Sequence, residues 1–288
     1  MCELFGLASR WPTRATFSLQ GFAAHGGLGQ RSVDGWGLAA ADGRDFRLYR
    51  EPEPAGESAW LEFIRQHGVA SSLIVSHIRH ATRGQVTLAN TQPFLRELGG
   101  RAHVFAHNGR LDMIDDLFDA AAPRFRPIGD TDSEMAFCLL LESLVPLWQR
   151  PSAPGLPERR AVVDRFAAGM RTLGPANFLY SDGEYLFAHG HRRSQADGTI
   201  APPGLWKLHR DCRVDGDALS PAGVHLSTPA GEQVLTLFAS VPLSGEAWRP
   251  LAEGETVVVA AGQGVPAGAA AVEEDEADIG RLSSRSQT

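Results

Sequence analysis

Residues 71–79 are the most strand-like segment of this chain, an apolar run with β-branched residues that ends at Arg79. A strand is also predicted at the extreme N-terminus, over residues 2–9. Further strands are predicted at 36–41, 46–50, 102–107, 176–182, 185–189, 204–209, 234–240 and 255–261. The strands do not alternate regularly with helices, which excludes a simple βαβ series and favours a layered α+β fold.

Helices are predicted at 58–67, 131–147 and 158–173. In the second of these, Thr131 is the expected N-cap, with Glu134 three residues later completing a capping box. Residues 151–157 are rich in Pro and Gly and predict a surface loop rather than a domain boundary. We therefore expect one domain over 2–261, followed by a disordered tail at 262–288 that is rich in Ala, Gly, Glu and Ser.

Charge and composition restrict the possible functions. The net charge of -7, without a long Lys/Arg run, argues against binding to nucleic acid or anionic membranes. No apolar run approaches the ~20 residues that span a bilayer. The N-terminus lacks a basic segment before its apolar residues, so it does not resemble a signal peptide. With only three cysteines, we expect a protein of the reducing cytoplasm.

Cys2 is unusual because of its position. Removal of Met1 would give it a free α-amine beside its thiol. Reference pKa values of about 8 for the amine and about 8.5 for the thiol allow the amine to accept the thiol proton. From position alone, an inert residue beside a buried strand is the simpler interpretation, and the other motifs change that balance.

Residues 77–84 follow the buried strand. Arg79, at its end, can hold a carboxylate through two parallel hydrogen bonds, although an arginine paired with a surface carboxylate would look the same. His77 and His80 are three residues apart and would point to opposite faces of a strand, which argues against a shared metal.

Two further segments carry polar groups suited to a substrate. Asn108 and Gly109 form a turn, where the Asn108 amide and the Gly109 N–H can converge on an oxyanion. The acidic cluster at 130–134 is explained by helix capping, yet one carboxylate there could accept from an ammonium group. Free glutamine presents a carboxylate, an ammonium group and a carboxamide, and these segments together match all three.

The remaining candidates are weaker. Cys138 lies on an apolar helix and is expected in the core, and Cys212 is expected to be a surface thiol. His189 and His191 share one face of a strand but lack a third ligand, so no metal site is predicted. The glycine-rich residues 26–29 could form a lid over the pocket.

The motifs at 1–6, 77–84, 107–109 and 131–134 resemble those of the class II glutamine amidotransferases, of the N-terminal-nucleophile hydrolase superfamily. Residues 34–37 resemble the free-standing, YafJ-type branch. The resemblance extends more weakly through 181–183, 242–245 and Trp248, and covers roughly residues 1–261.

This resemblance implies a four-layer αββα sandwich of two antiparallel sheets. It implies Cys2 as nucleophile, its own amine as base, and an oxyanion hole from Asn108 and Gly109. Arg79 would hold the substrate α-carboxylate and Asp132 its α-ammonium group. Further pocket residues are expected to be Gly35, Trp36, His80 and Thr82.

The chain departs from the synthase-linked members at two positions. His80 stands where they often carry Trp, and Arg83 where they often carry His. The segment that closes over the glutamine pocket in those members therefore differs in this chain. No synthase domain is predicted after the catalytic motifs.

The sequence thus predicts a cofactor-free glutaminase that proceeds through a γ-glutamyl thioester on Cys2, with a separate ammonia-accepting synthase as a possible partner. One alternative is a hydrolase of γ-glutamyl bonds in small thiol-related metabolites. The other is a glutamine-sensing regulatory subunit without useful turnover alone.

Overall fold

The computed structural model describes residues 2–17, 34–54, 58–80, 85–195, 197–212, 224–227 and 233–262. The strands are β1 Glu3–Phe17, β2 Trp36–Asp42, β3 Asp45–Glu51, β4 Val69–Ile78, β5 Phe94–Leu98, β6 Arg101–Gly109, β7 Ala176–Ser181, β8 Tyr185–His189, β9 Arg193–Ser194, β10 Ile200–Ala201, β11 Trp206–Cys212, β12 Val224–Ser227, β13 Gln233–Ala239, β14 Arg249–Pro250 and β15 Thr256–Ala260. The helices are α1 Ala59–His67, α2 Ile114–Ala121, α3 Asp132–Trp148 and α4 Leu156–Leu173, with a short 3-10 helix at Leu88–Asn90.

The larger sheet has eight antiparallel strands in the order β14-β11-β13-β1-β4-β2-β3, with β12 also paired to β1. The N-terminal strand β1 lies inside this sheet, between β13 and β4, where Phe5 is opposite Ala239 on one side and Ser76 on the other. This central position places residue 2 at the end of a strand whose first half pairs on both sides. The register between β1 and β4 shifts between Ala8 and Thr13, where the strand is irregular.

The second sheet has five antiparallel strands in the order β15-β8-β7-β6-β5. Its inner face packs on the larger sheet through small and branched residues, including Leu4, Val75, Val104, Ala106 and Leu179, all of them buried. Successive side chains of a strand point to opposite faces of its sheet, so every second residue of β1 and β6 enters this layer.

Helices cover the outer face of each sheet. On the larger sheet, Leu61 and Ile64 of α1 pack in the same apolar cluster as β1 and β4. On the smaller sheet, α3 and α4 pack over Phe105 and Phe178, with α2 beside them. The order helix, sheet, sheet, helix confirms the predicted αββα sandwich.

Every predicted strand and helix is present, with shifted ends. The strand predicted at 71–79 is β4, which ends at Ile78. The second half of β1, the short strands β5, β9, β10, β12 and β14, and helix α2 had no counterpart among the predicted elements. The loop at 151–155 joins two helices of one layer, as expected for a surface connection.

The capping box at α3 forms only in part. The Thr131 side chain accepts from the Glu134 N–H at 3.3 Å, as predicted. The Glu134 carboxylate, however, accepts from the Gly129 N–H at 2.8 Å and pairs with Arg96. A buried carboxylate is stabilised more by a nearby guanidinium than by a neutral backbone N–H, which explains why Glu134 turns away from Thr131.

Helices long and apolar enough to cross a bilayer do not occur in the described part of the chain. Residues 26–29, Thr82 and 263–288, which carried the predicted lid, a pocket residue and nearly all of the tail, lie outside the described residues.

Candidate active site

Cys2 lies immediately before β1 and opens onto a pocket between the ends of the two sheets. We call this the Cys2 pocket. The residues that line it are Cys2, Arg79, His80, Asn90, Gln92, His107, Gly109, Arg110, Thr131, Asp132 and Ser133. Five of the nine residues predicted for the site are therefore in the lining: Cys2, Gly109, Arg79, Asp132 and His80.

The Cys2 thiol is held by the backbone at the end of β4. The His80 N–H donates to Sγ at 3.3 Å, and the thiol donates to the His80 carbonyl oxygen at 3.4 Å. Burial raises the pKa of the Cys2 thiol above its ordinary value, and the Glu3 carboxylate acts in the same direction, while the His80 N–H and the positive charge of Arg79 act in the opposite direction. The thiol is thus protonated at rest, and forming a thiolate requires a nearby base.

Arg79 is buried at the pocket wall, with a relative exposure of 4%. Its backbone continues the β2–β4 pairing beyond the strand ends, because the Arg79 N–H donates to Gly35 O at 2.9 Å and the Asp34 N–H donates to Arg79 O at 3.0 Å. One guanidinium nitrogen donates to the Gln85 carbonyl at 3.0 Å. A buried guanidinium at a pocket wall is well suited to bind a carboxylate.

Gly35 and Trp36 lie outside the described lining of the Cys2 pocket. Gly35 has φ of 138°, and a Cβ there would lie 2.9 Å from the Glu51 carbonyl oxygen. Trp36 is buried in the cluster beneath α1 and donates from Nε1 to Glu51 at 3.2 Å. Gly35 supports Arg79 through the pairing of their backbones, and Trp36 pairs with Ile78, the residue before Arg79.

The turn predicted at Asn108 and Gly109 is wrong: they are the last two residues of β6 and pair with Asn177 and Ala176 of β7. The Asn108 side chain reaches across the two sheets, and its Nδ2 donates to the Cys2 carbonyl oxygen at 2.6 Å. An amide nitrogen carries two donors, so this contact leaves one N–H for a ligand. Asn108 therefore contacts Cys2 directly, although Gly109 and not Asn108 lines the pocket.

Asp132 begins α3 and is buried, with a relative exposure of 7%. Its Oδ2 accepts from the Leu111 N–H at 2.9 Å, and its Oδ1 accepts from the Ser133 N–H at 2.8 Å. These bonds fix the carboxylate at the pocket wall. Each carboxylate oxygen can accept more than one hydrogen bond, so both retain capacity for a cation.

His80 faces a second acidic residue. Its Nδ1 lies 3.6 Å from Asp34 Oδ2, and both side chains are partly exposed. His77, three residues earlier, is fully buried instead, and burial lowers its pKa to about 3. The two histidines thus occupy different environments. Clusters of three or more potential metal-ligating side chains are absent from the described ranges.

Several lining residues had no role in the sequence analysis. His107 bridges the end of β6 to α3, with Nδ1 2.9 Å from the Ser133 hydroxyl and Nε2 3.3 Å from Pro175 O. Burial lowers its pKa, and the nearby Asp132 carboxylate partly offsets this shift. The ring is therefore neutral, with Nε2–H as the donor to the carbonyl.

Gln92 and Asn90 act on the backbone around the pocket. The Gln92 side chain accepts from the His107 N–H at 2.6 Å and donates to the His107 carbonyl at 3.2 Å. These are the two bonds that the backbone of a neighbouring strand would make. Asn90 accepts from the Asp130 N–H at 3.0 Å. His107 belonged to a motif that was recognised, whereas nothing in the local sequence pattern marks Gln92 or Asn90.

A family model described as class II glutamine amidotransferases matches residues 1–281. A putative glutamine amidotransferase, YafJ, of Escherichia coli K12 is 35% identical over 261 residues, which cover 88% of this chain and 96% of YafJ. A crystal structure of a predicted glutamine amidotransferase from Pseudomonas aeruginosa is 31% identical, has a TM-score of 0.66, and is matched over 91% of this chain and 98% of its own.

A more distant structure has the same fold. The glutamine phosphoribosylpyrophosphate amidotransferase of Bacillus subtilis, solved with ADP and GMP, is matched at a TM-score of 0.55 and 16% identity. The match covers 90% of this chain and 47% of that enzyme. At this identity the likeness concerns the fold alone.

Proposed function

This chain belongs to the class II glutamine amidotransferase family, and from that premise we propose that it hydrolyses the side-chain amide of glutamine to glutamate and ammonia, with Cys2 as the nucleophile. The observation that carries the proposal is the composition of the Cys2 pocket. A thiol, a buried guanidinium and a buried carboxylate, from Cys2, Arg79 and Asp132, line one cavity. These groups complement the three polar ends of glutamine.

The substrate is held by its α-carbon groups. Arg79 binds the α-carboxylate through charge-assisted hydrogen bonds, and Asp132 accepts from the α-ammonium group. His80 and Thr82 are the further substrate-binding residues of this proposal. Gly35 and Trp36 support the wall that carries Arg79. The amide carbon then comes to rest beside Cys2 Sγ, which the His80 backbone holds in place.

Acylation begins once Met1 is removed. The free α-amine of Cys2 takes the thiol proton, and the thiolate attacks the amide carbon. The carbonyl oxygen becomes an oxyanion, stabilised by the Asn108 side chain and the Gly109 N–H. When the intermediate collapses, the α-ammonium group of Cys2 gives its proton to the leaving nitrogen, and ammonia departs. A γ-glutamyl thioester remains on Cys2.

In deacylation, water takes the place of the thiol as the nucleophile. The α-amine of Cys2 takes a proton from water, whose oxygen attacks the thioester carbon. The second tetrahedral intermediate uses the same donors, and its collapse releases glutamate and returns the thiolate, which recovers the proton from the amine. No step requires a metal or an organic cofactor. We place this chemistry in a single cytoplasmic domain over residues 2–261.

The ammonia is either released or passed to a separate synthase. A panel of substrates tests the proposal: free glutamine, γ-glutamyl amides with larger amines, and small γ-glutamyl thiol compounds, each followed by glutamate release. The proposal predicts that glutamine is hydrolysed and that Cys2→Ala abolishes the reaction. Preferred cleavage of the thiol compounds would assign a γ-glutamyl hydrolase, and glutamine binding without turnover would assign a sensor.

A further inference from the structure

The side chain of Asn177, on β7, is fully buried and hydrogen-bonded to three backbone groups. Its Nδ2 donates to Asn108 O at 3.0 Å and to Arg192 O at 2.7 Å, and its Oδ1 accepts from the His191 N–H at 2.7 Å. Both amide donors are therefore used. Asn177 lies directly opposite Asn108 in the β6–β7 ladder, so the residue connects the end of β6 to the segment beyond β8.

The bond from Asn177 to the Asn108 carbonyl affects the pocket because of the geometry of the peptide group. The Asn108 carbonyl and the Gly109 N–H belong to one planar, trans peptide group, so they point in opposite directions. The Asn108 carbonyl points toward β7, with which β6 pairs, and the Asn177 side chain adds a hydrogen bond that holds it there. The Gly109 N–H is thereby directed to the opposite side of β6.

That opposite side is the pocket side. The His107 N–H and carbonyl bond to Gln92, on the side of β6 that faces β5. Backbone groups alternate between the two sides along a strand, so the Gly109 N–H emerges on the same side as those of His107. Gln92 and Gly109 both line the Cys2 pocket at this place.

We propose that Asn177 is a positioning residue, which orients the Asn108–Gly109 peptide so that the Gly109 N–H faces the developing oxyanion. It does not touch the substrate. By donating to the carbonyl it also polarises the peptide, which makes the Gly109 N–H a stronger donor. This inference rests on the proposed function, because it assigns the support of the oxyanion site that the reaction uses.

Asn177 is itself held by a rigid segment. Its other partners, residues 191 and 192, precede Arg193, which pairs with the buried Glu3 at 2.9 Å and also donates to Ser240 O. Gly204 packs against the amide so closely that a Cβ would lie 1.6 Å from Asn177 Oδ1. The segment is therefore tied to β1, beside the nucleophile, and it fixes the Asn177 side chain against movement.

Two variants and a matched control separate positioning from folding. Asn177→Ala removes all three bonds, and Asn177→Ser, which introduces one hydroxyl in place of the amide, is a second variant in case the alanine variant fails to fold. The control is Gln195→Ala, because Gln195 Nε2 donates to the Ala201 carbonyl at 2.6 Å and lies 3.4 Å and 3.3 Å from the carbonyl oxygens of Arg193 and Pro203, next to the segment that holds Asn177. It weakens that segment without a bond to β6.

The experiment measures glutamine kcat and KM, the thermal midpoint, and the rate at which iodoacetamide alkylates Cys2. We expect Asn177→Ala to lower kcat about 100-fold, the loss typical of one oxyanion donor, with unchanged KM and alkylation rate. Asn177→Ser should show a smaller loss of the same kind. Gln195→Ala should lower the thermal midpoint and retain kcat.

Wild-type kcat in a folded Asn177 variant would overturn the inference, and so would an equal loss of kcat in Gln195→Ala. A loss of alkylation in parallel with kcat would also overturn it, because the nucleophile itself would then be displaced. If the wild-type protein turns over neither glutamine nor a γ-glutamyl amide, the proposed function fails first and this inference fails with it.

Discussion

The Asn108 side chain joins the two sheets at the pocket, donating from Nδ2 to the Cys2 carbonyl oxygen at 2.6 Å. The contact spans 106 residues of sequence and brings the end of β6 against the start of β1. Because the nucleophile residue has only one neighbour after Met1 is lost, a bond to its carbonyl limits its movement. Asn108 thus has a structural contact as well as its proposed role at the oxyanion.

Replacement of Cys2 by Ala should abolish glutamine hydrolysis while the fold is retained, because Cys2 lies at a strand end and its side chain is partly exposed. The matched control is Cys138→Ala, in the apolar core of α3. We expect that variant to lose about 1 kcal/mol of unfolding free energy, through lost apolar burial, and to keep its activity. Glutamate release and chemical denaturation measure both. Activity in the Cys2 variant would exclude the thiol mechanism.

Arg79→Lys should raise KM for glutamine by about 10- to 100-fold, because a lysine keeps the charge but loses the paired hydrogen bonds to a carboxylate. A glutamine analogue without the α-carboxylate should be hydrolysed equally poorly by the wild-type and variant proteins. Arg110→Lys is the control, since Arg110 also lines the pocket but is largely exposed and paired with Asp112. Equal effects of the two variants on KM would remove Arg79 from substrate binding.

Asp132→Asn should raise KM by about 10-fold or more, because the ammonium group loses a charged acceptor. The carboxylate accepts from two backbone N–H groups, one on each oxygen, and the substituted amide has a single acceptor oxygen, so a lower thermal midpoint is also expected. N-acetylglutamine, which lacks the ammonium group, should not distinguish variant from wild type. Asp130→Asn, two residues away and outside the described lining, should leave KM unchanged.

The buried imidazole of His77 makes the free energy of unfolding depend on pH. Burial lowers the pKa of His77 from 6.5 to about 3, and both ring nitrogens lack a hydrogen-bond partner among the described residues. The unfolded chain then binds a proton that the folded chain excludes, so stability is lost as pH falls from 6.5 toward 3. We expect His77→Phe to flatten the fall in unfolding free energy between about pH 6 and pH 4 by about 1.4 kcal/mol per pH unit.

Urea titrations across this pH range measure that slope. His67→Gln, on the exposed end of α1, is the control and should keep the wild-type slope. An unchanged slope in His77→Phe would show that the folded protein accommodates a charged imidazole at this position.

More of the candidate site than of the residues that support it could be predicted from the sequence. Cys2, Arg79, Gly109 and Asp132 belong to short motifs, and each motif begins or ends an element whose own pattern is strong. Trp36 was expected near the pocket and lies in the core instead, because alternation in β2 turns its side chain toward α1. Gln92 and Asn177 act through bonds to backbone groups 15 and 69 residues away, a distance at which local periodicity carries no signal.

Dependence on contacts that are distant in sequence also explains why some elements were not predicted. β5 and α2 are short, at 5 and 8 residues, and they form because β6 and α3 offer surfaces to pack on. Segments of this length are marginal alone and depend on tertiary contacts. A contact distant in sequence also sets the position of the Glu134 side chain. Its carboxylate pairs with Arg96 of β5 and so does not complete the capping box with Thr131.

The central claim, that Cys2 is an N-terminal nucleophile in a glutamine pocket, is tested most directly by intact-protein mass spectrometry before and after incubation with 6-diazo-5-oxo-norleucine, a glutamine-mimicking electrophile. We predict a protein that lacks Met1 and gains one adduct, which peptide mapping places on Cys2 and which excess glutamine suppresses. Retained Met1 with an unlabelled Cys2, or an adduct on Cys138 or Cys212 instead, would contradict the claim.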